Sequence, residues 1–130
     1  MAKPVPLGTR FEVEETVQLK HTLQFHHPML PPIYSTPDMI RLMETACFQA
    51  LLPYHEAGEM NVGTAINVEH RAATGVGAKV KAEGVLESFD GRFYVMRVRA
   101  WDERQEIGRG TVTRAMVHLP RLMKKVEEKK

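Results

Sequence analysis

The chain has 130 residues, enough for one domain with its own core. A formal net charge of +2, with no basic stripe carrying interleaved aromatics, gives no footing for nucleic acid, and a single cysteine, Cys47, excludes an internal disulfide. No apolar run is long enough to span a bilayer and no leader-like apolar stretch follows Met-Ala-Lys-Pro, so a cytoplasmic protein with no membrane partner is expected.

Residues 1–9, rich in Pro and Gly, read as a flexible N-terminal segment. Residues 10–20 carry β-favouring residues in loose alternation and predict a strand. Residues 21–35 hold three His and three Pro, and Pro31-Pro32 makes this a shaped loop. From 35 to 52 the period is helical: Met39, Ile40, Met43, Ala46, Cys47, Ala50 and Leu51 share one arc, and Arg41, Thr45 and Gln49 lie opposite. Ser35 or Thr36 can cap this helix, and a Thr36 cap sets Pro37 at the first helical position. Asp38 complements the positive end of the dipole.

The period then changes to two. Strands are predicted over 62–70, 78–89, 92–102 and 107–119, with a break at Gly75-Val76-Gly77, a hairpin at Asp90-Gly91 and a turn at 103–105. The tail from 121 to 130 is charged and reads as a solvated end. A single domain over 10–120 follows, of α+β class, with a five-stranded antiparallel sheet against one long helix. One helix covers one sheet face only, so a second copy is expected to cover the rest as a homodimer.

Glu44 stands apart in this pattern. It lies among Ile40, Cys47, Phe48 and Leu51, on the arc that should be buried, where a carboxylate must find a partner, stay protonated or line a cavity. Thr36 at the helix start and His70, on the parity of Ile66 and Val68, add a hydroxyl and an imidazole. These three groups are the components of attack on an acyl carbon. Each also has an ordinary structural reading: a rim carboxylate, a cap, a satisfied histidine. Cys47 reads as an inert core thiol, and His21, His26 and His27 as a solvated polar loop. Gly108-Arg109-Gly110, inside a strand pattern, marks a bulge or the close approach of a ligand to the backbone. Arg114 sits in a β run, facing solvent or orienting a ligand.

Three stretches are recognisable together: Ser35-Thr36-Pro37 through Leu42-Met43-Glu44-Thr45-Ala46-Cys47; Val62 through Thr74; and Ala100-Trp101-Asp102 with Glu106 to Thr111 and Arg114. From about residue 10 to 120 the chain resembles the fluoroacetyl-CoA thioesterase-like branch of the hotdog-fold thioesterases. The resemblance implies a dimeric hotdog fold. It implies hydrolysis of an acyl-CoA thioester by Thr36, Glu44 and His70, with Gly63 and Arg114 contacting substrate. It implies no metal and no bound cofactor, CoA being part of the substrate. Glu44 would attack the thioester carbonyl or activate a water, and the sequence leaves that choice open. The loop from Phe25 to Tyr34 would lid the acyl pocket, and its Leu30 and Ile33 do not single out fluorine; a small or medium acyl group is expected. Arg71, Lys79 and Arg109 are available to the nucleotide phosphates or to solvent. The competing readings are a non-catalytic acyl-CoA-binding module and a hotdog hydratase. The hydratase needs an Asp followed by a His on the helix, and after Asp38 no His occurs before His55.

Overall fold

A computed structural model describes residues 3–129. The strands are β1 (Arg10–Thr16), β2 (Glu59–His70), β3 (Lys79–Phe89), β4 (Phe93–Trp101) and β5 (Glu106–His118). The helices are α1 (Leu23–His26), α2 (Thr36–Leu51) and α3 (Leu119–Glu128). All five strands join one antiparallel sheet in the order β1-β3-β4-β5-β2, curled around α2.

The core lies between α2 and the inner face of the sheet. Met39, Leu42, Met43, Cys47 and Leu51 of α2 meet Val80, Ala82 and Leu86 of β3, Met96 and Val98 of β4, and Ile107 and Val112 of β5. On β4 one parity, Tyr94, Met96, Val98 and Ala100, is buried throughout. The outer face is polar. One row across the five strands runs Glu12, Glu83, Arg99, Arg109, Glu69, laced by Arg99 to Glu83 at 3.5 Å and to Glu106 at 3.7 Å.

The differences from the sequence reading have local causes. β1 stops at Thr16, and a single 3-10 turn follows at Leu19–His21, where Gln18 N–H donates to His21 Nδ1 at 3.0 Å. The glycines of β5 admit protein, not ligand. A Cβ on Gly108 would meet Met39 Sδ at 2.5 Å, and one on Gly110 would overlap the Asn67 carbonyl oxygen of β2. They let the helix and the neighbouring strand approach the β5 backbone. The hairpin at Asp90-Gly91 forms as expected, with Gly91 at φ +100° and Asp90 Oδ1 accepting from the N–H groups of Arg92 and Phe93. The N-terminal residues make backbone bonds to the body, Lys3 N–H to Tyr54 O and Gly8 N–H to Leu86 O. The charged tail folds as α3, although almost all of it stays exposed to solvent.

Candidate active site

Two pairs of side chains build the site. The first forms at the start of α2. Ser35, not Thr36, caps the helix: its Oγ accepts from Asp38 N–H at 3.1 Å. Thr36 is thereby the first helical residue, and its hydroxyl is left for another partner. That partner is His70, with Thr36 Oγ1 2.8 Å from His70 Nδ1. Burial holds the His70 imidazole below its usual pKa, against a smaller opposing pull from the Ala72 backbone, so the ring is neutral at pH 7. A neutral Nδ1 can accept the Thr36 hydroxyl proton. Thr36 and His70 line a hollow of ≈ 240 Å³ together with Ile33 and Tyr34.

The second pair forms two turns along α2. Glu44 lies at the margin of the buried arc, its side chain 32% exposed, and Arg114 Nη1 is 3.6 Å from its Oε2. So the carboxylate has a partner and also lines a hollow, one of ≈ 390 Å³ walled by Pro37, Ile40, Arg41, Thr45 and Phe48. Arg41 and Thr45, read as the opposite face of the helix, border the same hollow. Arg114 is 5% exposed rather than solvent-facing. It is held by Asn61: Arg114 Nε donates to Asn61 Oδ1 at 2.5 Å, and Nη2 to the Asn61 carbonyl at 3.1 Å. Asn61 in turn bonds His55 Nε2 at 2.7 Å. Sequence reading missed Asn61 and His55. The available signal was an Asn one residue ahead of an alternating apolar strand.

Gly63 closes this second group. A Cβ there would stand 3.1 and 3.3 Å from the two Glu44 carboxylate oxygens and 3.4 Å from Arg114 Nη1. A β-bulge between Gly63 and Ala65 then shifts the register by one residue. Its consequence is specific: Gly63 opposite Arg114 and, past the bulge, Ile66 opposite Val112 and His70 opposite Gly108 all turn toward α2. Without the extra residue, Gly63 and His70 would face opposite sides.

Among the described residues, two buried side-chain polar atoms have no hydrogen-bond partner, His70 Nε2 and Arg114 Nη1. One belongs to each pair. Within one chain the pairs stand apart: Thr36 and Glu44 are separated by about 12 Å of helix rise, and Gly63 and His70 by about 23 Å of strand. Arg71 and Arg109 are engaged in ion pairs, with Glu69 at 2.6 Å and Glu106 at 2.5 Å. Cys47 is fully buried, its thiol pushed up to about 12 by desolvation, which suits packing and not attack. His21 is buried beside Tyr34 rather than lying in a solvated loop. No helix among the described residues is long and apolar enough to cross a membrane.

The family model described as fluoroacetyl-CoA-specific thioesterase matches residues 17–119. The fluoroacetyl-CoA thioesterase of Streptantibioticus cattleyicolor is 40% identical over 129 residues, covering 95% of this chain and 93% of that protein. A solved structure of the fluoroacetyl-CoA thioesterase FlK superposes with a TM-score of 0.92 at 38% identity, covering 98% of this chain and 99% of the other. A variant of FlK in complex with acetyl-CoA gives a TM-score of 0.90 at 38% identity, with 97% and 99% covered. A Thermus thermophilus protein described as a thioesterase superfamily member gives 0.89 at 27% identity, with 97% and 96% covered.

Proposed function

The chain belongs to the fluoroacetyl-CoA-specific thioesterase family, with its hotdog fold, and we propose that it hydrolyses a small or medium acyl-CoA to free acid and CoA at a site shared by two protomers. Glu44, Gly63 and Arg114 of one protomer face the partner's Thr36 and His70. The separation of the two pairs within one chain supports this reading, because a single acyl carbon cannot touch groups so far apart. The free edge supports it too. β2 is a terminal strand of the sheet, and its residues 63–67 are exposed, Ile66 among them although it turns inward. Antiparallel pairing of β2 with its copy, about a two-fold near residues 66–67, sets Gly63 opposite His70 of the partner subunit.

The observation that carries the proposal is a pair of buried atoms without a hydrogen bond, His70 Nε2 and Arg114 Nη1, the latter held only by its 3.6 Å ion pair with Glu44. Leaving a buried donor unpaired costs about 1–3 kcal/mol, and such groups gather where a substrate is to be met. In the proposed reaction the Glu44 carboxylate takes a proton from water as its oxygen bonds the thioester carbon, or attacks that carbon itself. The carbonyl oxygen becomes an oxyanion, stabilised by the positive end of α2 and by the Arg114 guanidinium. As the carbonyl re-forms the C–S bond breaks, and the thiolate takes the His70 Nε2 proton while Nδ1 takes the Thr36 hydroxyl proton; the proton that Glu44 drew from water then restores Thr36, and on direct attack water hydrolyses the anhydride and supplies that proton. A thiol with a pKa of about 8.5 needs little acid help. This chemistry uses no metal and no cofactor beyond the CoA carried by the substrate. The short apolar lining of the two hollows, Ile33, Pro37, Ile40 and Phe48, suits a small acyl group and includes nothing particular to fluorine.

The test is thiol release from a panel of acyl-CoAs by the native chain and by Glu44→Gln. A loss of about 10²-fold or more in kcat is expected. Equal rates in the two proteins would remove Glu44 from the mechanism. Tight acyl-CoA binding without turnover of any ester by the native chain would make the protein a binding module instead.

A further inference from the structure

We propose that α3 of one protomer packs its apolar stripe on the partner's acyl-pocket lid, the segment from Phe25 at the end of α1 to Tyr34, and so completes the cover of the partner's site. The inference rests on the shared-site reading and extends it to an element that reading does not use.

α3 is amphipathic and only partly covered: Leu119 and Leu122 are half-buried, and Met123 and Val126 are exposed. Leu119, Leu122, Met123 and Val126 recur at the i, i+3, i+4, i+7 spacing of one helix face, while Arg121, Lys124, Lys125, Glu127 and Glu128 fill the other. No residue of α3 is buried, and Met123 and Val126 are each 45% exposed. Ten residues in a defined helix with an open apolar stripe need a surface to lie on. The lid has the complementary defect. Met29 is 85% exposed, and Phe25, Leu30 and the neighbouring Val76 are exposed as well.

The two patches cannot meet within one chain. α3 starts where His118 pairs with Glu59, at the first residue of β2. The lid is tied to the far end of that strand: Tyr34 N–H donates to Thr74 O at 2.7 Å and Ile33 bridges Gly75. β2 is 12 residues long, so about 36 Å of strand lies between the two ends. A two-fold near residues 66–67 reverses this distance. It carries Glu59 of one protomer to the neighbourhood of Thr74 of the partner subunit. There α3, about 15 Å long, emerges beside the loop that Thr74 and Gly75 anchor. One symmetry axis thus joins three exposed apolar groups: Ile66 to its copy, and the α3 stripe to the lid.

The direct test is a disulfide between the patches. Met29→Cys and Met123→Cys are made singly and together in the full chain, oxidised, and resolved on a non-reducing gel, with wild-type mass measured by light scattering. The double variant is expected to yield a covalent dimer that neither single variant gives, since Cys47 is buried. A dimeric wild type with no covalent dimer in the double variant would overturn the proposal and leave the shared site untouched. A covalent dimer from Met123→Cys alone would replace it with an α3–α3 contact. A monomeric wild type would overturn both the proposal and the shared site. A functional readout accompanies it: Leu122→Asp with Val126→Asp should raise KM for the acyl-CoA roughly tenfold with kcat little changed, the mark of lost uniform binding. An unchanged KM would separate α3 from the lid.

Discussion

Thr36 and His70, 34 residues apart in sequence, are joined by a 2.8 Å contact between Oγ1 and Nδ1. The contact exists because Ser35 takes over the capping of α2 and because a bulge in β2 turns His70 toward the helix. It leaves a hydroxyl at the positive end of a helix, bonded to an imidazole that burial keeps neutral.

That neutrality sets a pH dependence. Because burial lowers the His70 pKa, the ring gains its proton only on acidification below the ordinary value of about 6.5. Protonated, Nδ1 no longer accepts from Thr36. A plot of kcat/KM against pH should therefore be flat near neutrality and fall on an acid limb with an apparent pKa below 6.5. Thr36→Val should lower kcat and leave folding intact. A His70→Asn enzyme that kept the same limb would show the titrating group to be another residue.

Gly63→Ala probes the carboxylate's placement. The added methyl would press on both Glu44 oxygens from 3.1 and 3.3 Å. The side chain must shift by a few tenths of an ångström, and since a misplacement of about 1 Å can cost about 10²-fold in rate, a smaller loss than that is expected. Thiol-release kinetics should show the loss in kcat, and thermal melting should show a small change only. Full activity would mean that the position of the carboxylate is not critical.

Arg114→Met removes the cation beside Glu44 and leaves Asn61 Oδ1 without its donor. Stability should fall by about 1–3 kcal/mol, the cost of one stranded buried polar group, read from urea unfolding. Arg114→Lys keeps the charge but not the two-point grip on Asn61, so its KM should rise as well. A Lys variant equal to the native chain in both measurements would contradict the role given to the guanidinium.

Single-turnover hydrolysis in H₂¹⁸O separates the two roles open to Glu44. Direct attack forms an anhydride, and water that opens it at the Glu44 carbonyl places ¹⁸O in the Glu44 carboxylate; a general base never labels Glu44, so label there establishes the anhydride. Mass spectrometry of the peptide containing Glu44 reads the difference.

The sequence made the sheet legible because its strands alternate and its turns carry Asp-Gly and Gly-Val-Gly, and it made α2 legible through one helical period with Pro37 near the start. Thr36, Glu44 and His70 drew notice as polar residues on an apolar pattern. Asn61 and His55 did not, because they act by holding Arg114, and a tether leaves no periodic trace. The bulge at residue 64 was hidden for a related reason: an extra residue inside a strand looks like ordinary alternation until the partner strand is known. The α3 stripe at 119, 122, 123 and 126 was masked by the seven charged residues from Arg121 to Lys130, which read as a solvated tail. The ionic rungs of the outer face, Glu83 to Arg99 and Arg10, follow from register and so could not be read from one strand at a time.

The central claim is that Glu44 of one protomer and the partner's His70 act on one substrate. Mixing Glu44→Gln and His70→Ala chains under conditions of subunit exchange tests it most directly. Each variant alone is expected to be slower by about 10²-fold. Half of the mixed dimers should be heterodimers with one intact site of two, so thiol release should recover to about a quarter of the native rate. Exchange demonstrated by mass, with no recovery of activity, would contradict the account and place both residues in the same protomer's site.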